Sequence, residues 1–292
     1  MLFCSVELAA RIEQAEARLV VDCTRTAARE REGQQTFVLP FAGGWAAYSG
    51  PGSPLAKVAG AGLQGAFVPD ELEAIEQAFA RVRAPVQIEL SCLADPSIGR
   101  RLTERGYVLV GFENVLGRRL TPAAPDRPPI PSAQGAAQGA AQEVEISPVE
   151  GDGLAAWLDT VVTGFAHPDG QGVESHEEFP RESLEPVMGS MARTEGFRCY
   201  LARRHGEPAG GASMRMHEGV AQLCGTSTVP AHRRRGVQGA LLAARLGEAA
   251  SAGCDLAVVT TLPGSRSQHN VQRHGFELLY TRAILVREAL TS

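Results

Sequence analysis

The sequence predicts an α/β chain of two domains. Helical stretches with one apolar face alternate with short strand-like runs along most of its length. A stretch rich in Pro, Gly, Ala and Gln, residues 121–142, interrupts that alternation. The segments on either side of it resemble each other at a constant spacing. A length of 292 residues also suits two domains.

Composition narrows the class. With 44% hydrophobic and 21% charged residues, the chain is an ordinary globular protein. A net charge of −5 argues against a general nucleic-acid binder, whose footprint would be basic. No apolar run approaches the roughly 18–20 residues of a membrane span. The start Met-Leu-Phe-Cys-Ser-Val-Glu lacks the basic flank and apolar core of a secretory signal. Cys4, Cys23, Cys92, Cys199, Cys224 and Cys254 are scattered, with no CxxC pair. They read as thiols of a reducing cytoplasm, and neither a metal site nor a membrane partner is expected.

In chain order, residues 5–32 carry Leu8, Ile12, Leu19 and Val20 among Ala, Glu and Arg, a helix with an allowed break near Asp22. Strands are expected at 36–39, 45–48 and 55–63, with Gly-rich turns between the first two. Pro69 opens a helix whose Asp70, Glu71 and Glu73 suit the positive end of its dipole. Val86–Leu90 alternates as a strand, Asp95 caps a short helix ending near Gly106, and one or two strands fill 107–120. This is the first domain, 1–120. After the 121–142 linker, the second domain, 143–292, opens on a strand at 144–146. Helices at 154–165 and 183–192 flank a polar, acidic stretch. Strands follow at 197–203, 209–216 and 220–228, then a helix to about Ala252, a strand at 256–261, a short helix, and a last pair of strands after Gly275-Phe276.

The two halves match at an offset of 169 residues, which places Gly106-Tyr107 on Gly275-Phe276, Gln87–Leu90 on Leu256–Val259 and Leu72 on Leu241. Self-similarity over a whole supersecondary unit points to two copies of one fold. The offset also sets Arg234–Ala240 against Gly65–Glu71. The second copy has Arg233-Arg-Arg-Gly236-Val-Gln-Gly239 between a strand and a helix start. Free N–H groups of a first helical turn and glycine's lack of a Cβ make such a corner a cradle for phosphate, and arginines reinforce it. The competing reading is a solvated basic turn. The first copy presents Phe67, Pro69, Asp70 and Glu71 there, and acids would repel an anion.

Val229-Pro230-Ala-His-Arg233-Arg-Arg-Gly236-Val-Gln238-Gly-Ala-Leu-Leu resembles the acetyl-CoA loop of GNAT-type N-acetyltransferases. The later strand, Asn270 and Gly275-Phe276 follow the family's order, and the resemblance covers roughly 144–290. It implies two GNAT-like domains, each a mixed, mostly antiparallel sheet flanked by helices, the first a degenerate copy. It also implies acetyl-CoA as cosubstrate and direct attack of an amine on the thioester. Ser227, Thr228 and Val229 would hold the pantetheine with their backbone, and Arg234, Arg235, Gly236, Val237, Gln238, Gly239 and Ala240 the diphosphate. Asn270 is either a CoA contact or a helix cap, and Ser267 is a second candidate cap. Gln238 departs from the usual Gly or Ala, and Val271 stands where many members carry a catalytic Tyr.

Tyr280 is the candidate replacement acid, if it faces the cleft. Glu174 and Glu177, in an acidic run with His176 and Glu178, are candidate bases near an acceptor that would be a small-molecule or peptide amine. A solvated acidic loop is the plainer reading of that run. The expected assembly is a monomer or homodimer. Two rival functions stand beside acetyl transfer: a non-catalytic acyl-CoA-binding regulatory module, and a nucleotide-phosphate binder of another kind. The cradle lacks the Gly-Lys-Ser/Thr ending of a P-loop, which argues against the last.

Overall fold

A computed structural model describes residues 2–31, 33–121, 144–167 and 180–289. The expected linker lies outside these residues except for Thr121. The described residues fall into two compact units. One takes in those within Met1–Gly117, Gln171–Ser190 and Thr260–Ser292; the other those within Arg118–Gly170 and Met191–Val259.

Unit 1 begins with α1 (Val6–Glu30), capped by Ser5, whose side chain accepts from the Leu8 N–H. The helix is continuous through Asp22, contrary to the break allowed there. The Asp22 carboxylate meets Arg18 one turn earlier at 2.9 Å, so this acid is served on the helix surface. Strands β1 (Phe37–Phe41), β2 (Gly44–Tyr48) and β3 (Val58–Ala59) follow, then α2 (Pro69–Arg81), β4 (Val86–Ser91), α3 (Pro96–Glu104) and β5 (Val108–Arg119). The strand expected at 55–63 is reduced to two residues. Gly60 and Gly62 take left-handed φ values just after it, at +76° and +85°, and end the run. Asp95 caps α3 by accepting from the Ser97 N–H, as its sequence suggests.

The strand that completes unit 1 comes from far along the chain. β11 (Glu277–Arg287) pairs antiparallel with β4 on one side, Arg282 opposite Ser91, and with β5 on the other, Val286 opposite Val108. The expected pair of strands after Gly275-Phe276 is therefore one long strand, because both of its edges are taken. The order within unit 1 is β1-β2-β3-β4-β11-β5, with β3 and β4 parallel. Phe41, Val58, Leu72, Ile75, Phe79, Ile88, Ile98 and Leu102 fill its core. Between α1 and the sheet lies a buried polar network. Tyr280 Oη donates to Glu13 at 2.7 Å, and so does Arg282 Nε. Lys57 reaches Glu89 at 2.9 Å and Glu16 at 3.2 Å, while Arg282 also faces Glu89 and Glu113.

Unit 2 holds β6 (Val144–Val149), α4 (Gly153–Phe165), β7 (Phe197–Arg204), β8 (Glu207–His217), β9 (Val220–Thr228), α6 (Val237–Ser251) and most of β10 (Leu256–Thr261). Helix α5 (Arg181–Arg193) runs from unit 1 into unit 2 by this division. The unit 2 order is β10-β9-β8-β7-β6, antiparallel except for β9 and β10. Each unit thus contains one parallel pair, as two copies of one fold should. Helices α4 and α6 cover opposite faces of β8. A Cβ on Gly211 would press on Val161 and Trp157 of α4, and one on Gly210 would press on Val237 of α6. Trp157, Val161, Met214, Leu241 and Ala249 are buried between these layers. None of the six cysteines is in a disulfide. Among the described residues no helix is long and apolar enough to cross a membrane.

Candidate functional site

The site grows from the way β9 ends. Its ladder with β10 extends only from Val220–Gln222 against Leu256–Val258. The ladder pairs no residue of β9 from Leu223 onward with β10. On its other side β9 stays paired with β8 through Thr228 opposite Gly210. The register slips between these stretches: three steps of β9, Cys224 to Ser227, oppose two of β8, Gly211 to Ser213. Gly225 takes φ +52° inside this bulge, a conformation that favours glycine.

Beyond Thr228 the chain makes a single 3₁₀ turn at Pro230–His232 and enters α6. The turn into the helix uses two left-handed residues, Arg234 at φ +59° and Gly236 at φ +81°. Gly236 is the N-cap, makes no side-chain cap, and no acid lies in the first turn. A Cβ at Gly236 would meet nothing within 4 Å, so the space beside this residue is open. Arg234 and Arg235 are exposed beside it, while Val237 is buried and anchors the turn. First-turn N–H groups, a helix start without acids and two exposed guanidiniums are features that suit an anion. These features fit the diphosphate of a CoA-type group. Gln238, Gly239 and Ala240 continue the turn, and the Ala240 N–H closes the first helical bond onto the Gly236 carbonyl at 3.0 Å.

The matching place in unit 1 is filled by the chain itself. At the start of α2 the Glu71 carboxylate accepts from the Ala42 N–H at 3.0 Å, with Asp70 beside it in the first turn. Phe67 packs edge-on against Phe41 and under the Arg101 guanidinium. This copy offers carboxylates and an aromatic ring where the other offers N–H groups and arginines.

Of the expected pantetheine strand, Ser227 turns its side chain into the protein. It is 8% exposed, and its Oγ donates to the Val161 carbonyl of α4 at 3.0 Å. Thr228 and Val229 sit at the strand end, where the Val229 N–H is held by the Ala209 carbonyl. Arg245, one helix face further along α6, is 3% exposed and donates to the Ser213 and Leu241 carbonyls. Burial pulls its guanidinium down to about 10. No sequence pattern marks this arginine, because its apolar neighbours on α6 give only a helical period.

Three expectations need correction. Tyr280 does not face a cleft. It lies in unit 1, 4% exposed, with its hydroxyl given to Glu13, and burial followed by the Glu13 charge holds its phenol well above the ordinary value. A phenol so engaged is not an available acid. Asn270 does not cap a helix: it lies inside α7 (Arg266–Arg273), whose cap is Ser265, accepting from the Gln268 N–H. Ser267 is likewise within α7 rather than its cap. Asn270 belongs to unit 1, whereas the β9–α6 corner belongs to unit 2. Val271 is buried in α7 as an apolar contact. Glu174, His176, Glu177 and Glu178 lie outside the described residues. Among the described residues no group of His, Cys, Asp and Glu is placed to hold a metal.

The comparisons with known proteins agree with this geometry. The model of the acetyltransferase (GNAT) family matches residues 161–276, which span β7 to β10 and the whole corner. The fold is similar to a GCN5-related N-acetyltransferase from Kribbella flavida at 20% identity, covering 92% of this chain and 94% of that one, with a TM-score of 0.59. It is similar to a tandem GNAT protein from the clavulanic acid biosynthesis pathway at 14% identity, covering 93% and 88%, with a TM-score of 0.59. A GCN5-related N-acetyltransferase from Sphaerobacter thermophilus matches at 17% identity over 96% and 93%, with a TM-score of 0.53. At these identities the structures speak for the fold alone. No curated protein matches the sequence. The model of the acetyltransferase (GNAT) family, a family of acyl transfer, thus matches across the corner after β9, and the chain shares its fold with GCN5-related N-acetyltransferases and with a protein described as a tandem GNAT protein.

Proposed function

We propose that the protein is an N-acetyltransferase that moves an acetyl group from acetyl-CoA to a primary amine of a small molecule or peptide. The carrying observation is the start of α6, where Gly236 at φ +81° opens an acid-free helical N-terminus beside two exposed arginines. In this reading the backbone of Arg234–Ala240 receives the diphosphate, and the end of β9 beyond its ladder with β10, up to Val229, lies along the pantetheine. Asn270 is retained only as a candidate CoA contact. The bound cosubstrate supplies an activated acyl thioester. The chain's part is to orient it and the amine for direct attack. Glu174 and Glu177 are the proposed bases, and the acid that serves the departing thiolate is not Tyr280. The protein is proposed to act in the cytoplasm, as a monomer or homodimer, without nucleic acid or membrane partners.

A second reading is a non-catalytic acyl-CoA-binding regulatory module. Two observations favour it: Val271, buried in α7, can supply no proton, and the Tyr280 hydroxyl is committed to Glu13. Titration calorimetry with acetyl-CoA, run beside a thiol-release assay over an amine panel, separates the readings. Binding with amine-dependent thiol release is expected. Binding without turnover on any amine would favour the second reading, and no binding would refute both.

A further inference from the structure

Arg233 is the first of the three arginines, yet its side chain turns away from the open corner. Its Nε donates to the Thr228 carbonyl at 3.4 Å, and its Nη2 donates to the carbonyl of His167, just past the end of α4. Arg234 and Arg235 are exposed; Arg233 is half-buried. The carbonyl end of a helix carries partial negative charge and lacks intrahelical donors, so a guanidinium is well matched to it.

Two other bonds tie the same helix to the strands that carry the site. Ser227 Oγ donates to the Val161 carbonyl, and Trp157 Nε1 donates to the Ala212 carbonyl at 3.1 Å. The approach at Ser227 depends on glycine, since a Cβ on Gly164 would stand 2.4 Å from Ser227 Oγ. Helix α4 is therefore keyed to β8 through Trp157, to β9 through Ser227 and to the cradle turn through Arg233.

We infer that Arg233 is a positioning residue: its side chain couples the cradle to the carboxyl end of α4 and does not bind the diphosphate. The inference rests on the reading of the cradle as the acetyl-CoA site. The turn from Arg233 to Gly236 holds two left-handed residues, and the Arg233 side chain links it to the end of α4. A diphosphate that occupies its N–H groups restrains the turn, and Arg233 passes that restraint to the last turn of α4. Arginine suits the task because its forked donors reach two carbonyls at once, which a lysine ammonium serves less well.

Hydrogen exchange on the full chain, with and without acetyl-CoA, tests the coupling together with calorimetric affinities. In the unaltered protein, acetyl-CoA should slow exchange at residues 163–167 at least about fivefold, the signature of a local opening being suppressed. Arg233→Met should lose that slowing while its affinity for acetyl-CoA stays within roughly threefold, a change of under about 1 kcal/mol. Arg235→Glu should instead lose affinity. Persistence of the slowing in Arg233→Met, or a loss of affinity there as large as in Arg235→Glu, would overturn the inference. Should Arg233→Met fail to fold, Arg233→Lys decides: partial loss of the slowing supports the coupling, and full slowing refutes it. If the unaltered protein does not bind acetyl-CoA at all, the cradle reading itself falls. If it binds without slowing exchange at 163–167, only the coupling falls.

Discussion

The Tyr280 hydroxyl donates to the Glu13 carboxylate at 2.7 Å, joining residues 267 positions apart in the chain. Arg282, 1% exposed, gives its Nε to the same carboxylate oxygen. Two residues of β11 thus hold one acid of α1, and the last strand is fastened to the first helix inside unit 1.

Removing Glu13 leaves a buried guanidinium without its nearest acid. Breaking one side of a buried pair costs about 3–5 kcal/mol, so Glu13→Gln should lower the stability of unit 1 by that order. Tyr280→Phe removes one hydrogen bond and should cost only about 1 kcal/mol. Guanidinium denaturation followed by tryptophan and circular-dichroism signals measures both. Equal losses in the two variants would show that Arg282 finds another partner.

Glu113 provides a pH test of the same network. Its Oε2 is sealed from water and without a hydrogen bond, although the side chain as a whole is 24% exposed. Burial, then the charge of Glu89, raises its carboxyl to about 8, against the pull of Lys57 and Arg282. In the unfolded chain it titrates near 4.3. Between these values the folded state holds a proton that the unfolded state has released, so this group's contribution to stability falls as pH rises from about 4.3 to 8. Glu113→Gln should flatten that decline and be more stable than the unaltered protein at pH 8. Denaturation midpoints at pH 5.5, 7 and 8 give the comparison; parallel curves for the two proteins would count against it.

At the cradle, reversing charge at both Arg234 and Arg235 should weaken acetyl-CoA binding at least about tenfold, or roughly 1.4 kcal/mol. The loss should shrink at high salt, because both side chains are exposed. Gly236→Ala should also weaken binding, since φ +81° costs a residue with a Cβ roughly 1–2 kcal/mol. Unchanged affinity in the double charge reversal would show that the two guanidiniums play no part.

Gly164→Ala should act on α4 directly. The new methyl would lie 2.4 Å from Ser227 Oγ and 2.5 Å from its Cβ, so the helix must lift from β9 or the serine must rotate. Overpacking of this kind costs about 1–3 kcal/mol, visible as a lower melting temperature. Gly164→Ala with Ser227→Ala should recover part of the loss, and failure to recover would place the strain elsewhere.

Much of this was legible in residue order because its causes are local. Pro69-Asp70-Glu71 marks the start of α2 by fixed φ and favourable charge, and Asp95 announces its own cap. The cradle is visible for the same reason: Gly236 and the arginines lie within a few positions of each other. The acid-lined start of α2 could also be set beside it by a single offset. What stayed hidden depends on partners distant in the chain. Strand alternation tells that one face of β11 is buried, but not that the strand lies between β4 and β5. That placement turned Tyr280 from a cleft residue into a partner of Glu13. The inward turn of Arg233 was hidden too, since three adjacent arginines look alike until two carbonyls single one out. Nothing in residue order sets Arg245 apart, and it lies buried on the face of α6 that meets β8.

The insertion of β11 between β4 and β5 also sets an order for the chain's own making. During synthesis β4 and β5 emerge long before residues 282–287, and until then their facing edges wait unpaired. Unit 2 has its strands β6 to β9 and α6 in hand earlier. The unit begun first is finished last, and its open edges are the place where a chaperone would be expected to attend the nascent protein.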